Sequence, residues 1–419
     1  MLNNVISLFS GAGGLDYGLE AAGFETSVCT DYNTHACNTL RHNRPWSVLE
    51  GDISLVEPAE LLARAGVVVG DVALLAGGPP CQPFSKSGFW ASGESRRLDD
   101  PRAATLTHYI RMVDGTLPKV MLLENVEGLS YAGKSEGVQF LLTALEGINQ
   151  RHGTNYQASF KVLKAADYGV PQHRARFFLV AERSGREFAF PSPTHGDSDG
   201  LQPFRTAWDA IGDLSGIDHK GALDPTGKWA ALLPTVPEGS NYLWHTDRGG
   251  GFPLFGWRRR YWSFLLKLAK ALPSWTIQAQ PGPATGPFHW DSRRLSMREL
   301  ARLQTFPDDV EVTGSLREVQ RQIGNAVPSL LTEVVGRAIR DQLLGHEPSD
   351  EHFRLIPPVR TPVPDAEEVP TLLPEKYQNQ VGEHSAHPGT GLGRRASRRP
   401  NGVAGPKPQN PDKEAIVSR

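Results

Sequence analysis

Three short motifs carry residue types that could do covalent chemistry. The segment GGPPCQPFS, Gly77 to Ser85, places Cys81 after an apolar run and two prolines. Those prolines fix the backbone, so the sulfur is presented from a rigid turn. A lone Cys is ordinarily a small buried hydrophobe, and Cys29 and Cys37 are read that way. A Gly-Gly-Pro-Pro lead-in gives no reason to pack a thiol, so Cys81 is read as reactive. The run VMLLEN delivers Glu124 and Asn125 to the end of an apolar strand, where a carboxylate has few structural motives. In QHRAR, Gln172 to Arg176, the residues Arg174 and Arg176 share one face of the chain just before a strand. A surface ion pair explains those arginines equally well.

A fourth motif reads as a binding turn. The first strand runs into FSGAGGLDYG, Phe9 to Gly18, a glycine-rich turn that opens a helix. Bare backbone N–H groups and a positive helix end meet there. The dinucleotide fingerprint would need Gly where Asp16 stands, so a nicotinamide site is disfavoured. A ligand with an adenosine and a carboxylate still fits. Asp31-Tyr32 and Asp52-Ile53 close later strands; such an acid suits ribose hydroxyls, and Tyr32 suits an adenine face. Taken alone, an acid there is more often a helix cap.

These residues need a scaffold that brings strand ends together. Apolar runs at Val5 to Phe9, Val72 to Ala76, Val120 to Leu123 and Phe177 to Ala181 alternate with stretches of helical period. Such a rhythm predicts an α/β fold: a doubly wound parallel sheet with helices on both faces and a crevice at the strand ends. From Glu182 to about Pro287 the text turns Pro- and Gly-rich without a period. Regular structure then resumes, with a Ser296/Glu299 capping box and a further helix carrying Pro328 in its first turn. The expected division is a first catalytic and cofactor-binding part at 1–187, an inserted small, irregular domain at 188–295, a return of the first domain at 296–346, and a disordered Pro-rich tail at 347–419. Deleting that tail is expected to leave activity nearly intact.

Composition narrows the class further. Apolar residues make up 39% of the 419, enough for a real core. No run reaches the length of a membrane span, and no secretory leader is seen. Three cysteines without a CxxC pair point to a reducing, cytoplasmic setting. The net charge is only −2, but Arg248 to Arg302 holds ten basic residues against two acids, amid aromatics. That footprint suits a polyanion, with an ordinary core and a solvated basic face as the equal alternative.

Taken in order, FSGAGG, GGPPCQPFS, LDDPR, LLENV, QHRAR, ELARLQTFPD and IGNAVP resemble the motifs of the bacterial DNA (cytosine-5)-methyltransferases of restriction-modification systems, over most of residues 4 to 345. The resemblance implies a Rossmann-like methyltransferase sheet with an inserted target-recognition domain. It implies S-adenosylmethionine, and no metal, held by Phe9, Gly11, Gly13, Gly14, Asp31, Tyr32, Asp52, Ile53, Pro79, Leu106 and Asn325. It further implies that the Cys81 thiolate adds to C6 of a flipped cytosine while Glu124 hydrogen-bonds or protonates N3, which activates C5 to take the methyl. Arg176 is then expected on the cytosine O2, and Arg174 on a phosphate or on the site itself. Ser85 and the cluster Arg258, Arg259 and Arg260 are expected at the DNA, with Lys86 to Arg97 as a lid. The implied enzyme is a monomer on double-stranded DNA in the bacterial cytoplasm, bound to the nucleoid through that DNA. A companion endonuclease would share its site without touching it.

Four rivals are weaker. An RNA cytosine-5 methyltransferase does not need the long basic, aromatic insert. An amino-methyltransferase would put an aromatic after Pro-Pro, where Cys81 sits. A silent DNA-binding regulator has no use for intact Cys81, Glu124 and Arg176. A nicotinamide oxidoreductase fails at Asp16.

Overall fold

Apolar residues on both faces of each central strand decide the architecture. In a computed structural model of the chain, β1 (Asn4–Leu8), β4 (Leu74–Gly77) and β5 (Val120–Val126) form the middle of a seven-stranded sheet. The structure describes residues 3–80, 104–130, 136–217, 219–257, 261–348 and 351–382. In β5, Met121 and Leu123 join the core on one face, while Val120 and Leu122 join the core on the other. With side chains alternating, such a strand is covered twice. The first face is covered by α3 (Pro58–Ala65), α4 (Ala104–Thr116) and α5 (Glu136–His152). The second is covered by α1 (Gly14–Ala21) and α9 (Ser329–Leu343). Helix α1 approaches α9 so closely that a Cβ at Gly18 would stand 2.2 Å from the Ser329 carbonyl oxygen.

Beyond β1 the sheet continues through β2 (Glu25–Asp31) to β3 (Ser47–Glu50), with α2 (Thr34–Asn43) between them. On the other side it runs from β5 through β8 (Ala175–Glu182) to β6 (Gln157–Lys164). The expected α/β sheet is present, with one correction: β8 is antiparallel to both of its neighbours. Residues 165–174 are too few for a helical crossover, so the chain turns back and slots between β5 and β6.

Among the described residues, the middle of the chain adds no strand to this sheet. A two-stranded pair, β7 (Gln172–His173) with β9 (Ser274–Trp275), ties it to the chain that leads into β8. One core made by Leu232, Leu233, Val236, Tyr242, Phe255, Leu265 and Phe288 belongs to this region. Another is shared between α6 (Ala207–Ile211), Trp290, α7 (Met297–Leu303) and α8 (Leu316–Asn325). The Ser296/Glu299 capping box opens α7 as expected, and Pro328 takes the N-cap of α9.

The segment after α9 departs from the expectation of a loose tail beginning at 347. Backbone N–H groups of Arg354 and Leu355 donate to the buried Glu333 carboxylate at 2.7 and 3.0 Å. Arg360 donates to Asp209 and pairs with Asp213. Leu373 and Tyr377, the latter in α10 (Glu375–Gln378), sit in the core of the insert, with Tyr377 stacked on Trp229. Prolines exclude a long helix here, but an extended strap needs none. It satisfies buried charges with its own amides and anchors itself with isolated apolar residues.

Candidate active site

The C-terminal ends of β1, β2, β4 and β5 meet at one edge of the sheet, where the sequence motifs also converge. At β1 the chain turns through Phe9, Gly11 and Gly13, all with positive φ. Gly13 is the N-cap of α1, where its own Cβ would press on the Tyr17 ring at 2.8 Å. A Cβ at Gly14 would lie 2.5 Å from the Val327 carbonyl oxygen, so only glycine lets the IGNAVP segment close on this turn. Asp31, at the end of β2, braces the same turn. Its Oδ2 accepts the Gly11 N–H at 2.8 Å, and its Oδ1 accepts the Asn33 N–H at 2.8 Å. The cap of α2 is Asn33, not Asp31.

These residues fit an adenosyl ligand with a charged amino-acid end. A Cβ at Gly11 would meet none of the described residues within 4 Å. The Asp31 oxygens keep lone pairs for ribose hydroxyls. Tyr32 is 72% exposed, free to offer a ring face. Asp52 is exposed with Ile53 buried behind it, and Leu106 is buried under the same edge. Asn325 is exposed at the end of α8.

Asp16, in the first turn of α1, is wholly buried, and among the described residues neither of its carboxylate oxygens has a hydrogen-bond partner. Burial pushes its pKa up from 3.8 to about 7, only partly offset by the neighbouring Ser7 hydroxyl, which is paired with Ser10 at 2.9 Å. A group raised in this way contributes stability that is complete below about pH 4 and is lost as the pH rises through 7. The loss amounts to about 4 kcal/mol at most. Asp16→Asn is therefore expected to flatten the fall of Tm between pH 5 and pH 8, gaining on the wild type toward the alkaline end. Parallel Tm curves for the two proteins would contradict the assignment.

At the end of β5, Glu124 lies 93% buried against Arg176, with Nε donating to Oε1 at 2.8 Å. Burial raises the Glu124 pKa even though both arginines favour its ionised form. Gly78 allows this placement, because a Cβ there would stand 3.0 Å from Glu124 Oε2. The Pro-Pro turn is held beside it: Asn125 donates to the Pro79 carbonyl at 3.0 Å, and the Thr105 hydroxyl donates to the Pro80 carbonyl at 2.9 Å. Cys81, Ser85, the segment Lys86 to Arg97 and Arg258 to Arg260 lie outside the described residues.

Arg174 holds the site itself. It is buried and donates to the carbonyl oxygens of Ile277, Gly324 and Ala326 at 3.2, 2.7 and 3.0 Å. Of the two expected roles, these contacts favour the one on the site itself, while Nε has no partner among the described residues. Two residues missed in the motifs complete this knot. Gln172 donates to the Leu303 carbonyl and to Gln304, and Gln304 donates to the carbonyls of Ile323 and Ala326. Their position inside QHRAR and ELARLQTFPD was the available signal. Part of the basic block also faces inward: Lys270 is buried on Glu238, and Arg293 on Glu299.

Comparison with known proteins agrees with this geometry. The family model for C-5 cytosine-specific DNA methylase matches residues 3–341. The type II methyltransferase M.SacI of Streptomyces achromogenes is 45% identical over 81% of this chain and 93% of its own. M.NgoFVII of Neisseria gonorrhoeae, also a type II methyltransferase, is 36% identical over 77% and 83%. In fold, the chain is similar to a DNA modification methyltransferase encoded within a prophage of Escherichia coli (TM-score 0.57, 23% identity, 82% of this chain and all of that one). It is also similar in fold to the Dnmt2 methyltransferase of S. pombe (TM-score 0.52, 18% identity, 81% and 98%). The chain belongs to the C-5 cytosine-specific DNA methylase family and is a DNA cytosine-5 methyltransferase.

Proposed function

We propose that the protein methylates one cytosine within a specific duplex sequence through a covalent adduct between Cys81 and C6 of the flipped base. The observation that carries this reading is the buried Glu124–Arg176 pair, set beside the Pro79-Pro80 turn that leads directly into Cys81. Inside a duplex C5 is out of reach, so the base leaves the stack at a cost of a few kcal/mol. The Cys81 thiol loses its proton as it adds to C6, because the thiolate is the nucleophile. Glu124, whose burial favours the protonated form, gives or shares a proton at N3 as charge develops there. Arg176 orients that carboxyl and holds the cytosine O2. The addition makes C5 nucleophilic, and S-adenosylmethionine, when bound, supplies the electrophilic methyl. A base then takes the C5 proton, and Cys81 leaves by elimination.

In this reading the methionine end lies on Phe9, Gly11, Gly13 and Gly14, and the adenosine lies along Asp31, Tyr32, Asp52 and Ile53. Pro79, Leu106 and Asn325 complete the walls. No metal is called for, since thiol addition and proton transfer supply the activation. Residues 188–295 select the sequence, with Arg258, Arg259 and Arg260 at the DNA. Ser85 and the lid, Lys86 to Arg97, close over the flipped base. Similarity to type II methyltransferases supports a role as the modification half of a restriction-modification pair. In the same reading the enzyme acts as a monomer in the bacterial cytoplasm.

Glu124→Gln tests the proton step. The amide still donates to N3 but cannot give up a proton, so a fall of ~10²–10⁴-fold in the single-turnover rate is expected, with target DNA still bound. Measured with radiolabelled methyl donor, an unchanged rate would remove Glu124 from the mechanism.

A further inference from the structure

The aromatics of the insert differ in burial, and Phe252 and Trp257 are exposed as well as Trp262 and Trp275. Tyr242, Phe255, Phe288 and Trp290 are buried and belong to the cores. Trp262 and Trp275 are instead 43% and 39% exposed, although large apolar rings are costly to leave in water. They meet edge to face at 5.4 Å, and Trp275 lies 5.4 Å from the His173 ring. This exposed surface is built on purpose-made backbone. Trp275 pairs with His173 in the two-stranded β7–β9 ladder, and the Thr276 hydroxyl donates to the His173 carbonyl at 2.6 Å. Gln172 and Ile277, on either side, point inward and lock the ladder to the site, with the Ile277 N–H donating to Gln172.

The location says what the surface meets. Arg176 pairs with Val126 at the very end of β5, so the chain before it runs past the edge of the sheet. His173 is three residues earlier, within about 10 Å along an extended chain. The ladder that carries the His173 and Trp275 rings therefore begins within about 10 Å of Arg176, at the edge of the sheet where the Glu124–Arg176 pair lies. A flipped cytosine leaves behind an unstacked partner and exposed base faces, for which flat aromatic rings are the matching chemistry.

We propose that Trp262, Trp275 and His173 form a stacking surface for the bases left exposed beside the flipped cytosine, lowering the cost of holding the duplex open. This rests on the flipping step of the proposed mechanism. The test compares two duplexes carrying the protein's own target sequence, mapped by sequencing methylated DNA. One is fully paired; in the other the target cytosine faces a mismatched adenine, so extrusion is already cheap. Trp275→Ala and, separately, Trp262→Ala are expected to weaken binding of both target duplexes by roughly 5- to 100-fold, with little loss on a duplex that lacks the target sequence, where no base is flipped. Trp275→Phe should restore most of the paired-duplex affinity, and binding of S-adenosylmethionine should stay at the wild-type level. Equal losses on target and non-target duplexes, or no loss in either variant, would overturn the stacking role. A wild type that shows no preference for the mismatched duplex would instead overturn the flipping step itself, and the stacking role with it.

Discussion

Cys81→Ala is expected to abolish methyl transfer while leaving binding of S-adenosylmethionine within a few-fold of the wild type. The two functions rest on different parts of the fold. The glycine turn is shaped by Gly11, Gly13 and the Asp31 brace, all independent of the thiol. C5 of cytosine becomes nucleophilic only after addition at C6, and no second thiol can substitute. Cys29 and Cys37 are buried, and burial raises both thiols far from reactivity. Turnover should fall to background with tritiated methyl donor, and a binding isotherm should confirm the intact cofactor site. Appreciable turnover by the purified variant would sink covalent catalysis.

Two truncations should behave in opposite ways. A chain ending at Gly382 is expected to keep the Tm and activity of the full chain, because residues 351–382 make the contacts described above. A chain ending at Pro348 should lose about 5 kcal/mol of stability. Leu373 and Tyr377 leave the core of the insert, at about 2 kcal/mol each. Lys270 loses the Asp365 carbonyl and Glu367, and the Glu333–Arg337 pair loses the backbone groups that complete its hydrogen bonds. A desolvated ion pair stripped of such partners is costly. Denaturant unfolding of both truncations decides the matter, and equal stabilities would show that the strap contributes nothing.

The core of this protein was legible in its sequence where local pattern carried the information. Strands such as Val120 to Leu123 announce themselves because both faces are apolar, and Ser296 with Glu299 marks a helix start by hydrogen bonds three residues apart. The direction of β8 was not legible, since Phe177 to Ala181 is apolar throughout and a continuous run has no polarity. Arg174 reads the same from sequence whether it meets a phosphate or a carbonyl. Its partners at Ile277, Gly324 and Ala326 are more than a hundred residues away. The strap was hidden for the same reason. Its prolines speak locally against structure, while Glu333, Asp209 and Trp229, which hold it, are distant in sequence. Asp31 lay between these cases: an acid at a strand end was visible, but its bond to Gly11 was not.

The central claim is that catalysis passes through a covalent bond between Cys81 and C6. Duplex DNA carrying 5-fluorocytosine at the target position tests it most directly, because elimination then requires loss of fluorine. Wild-type protein incubated with this duplex and S-adenosylmethionine is expected to give a complex that survives denaturing electrophoresis. Its mass should equal protein plus methylated DNA, with the cross-link mapping to Cys81, and Cys81→Ala should give none. If the wild type methylates the ordinary duplex yet forms no such complex, or if the cross-link maps elsewhere, attack by Cys81 at C6 is contradicted.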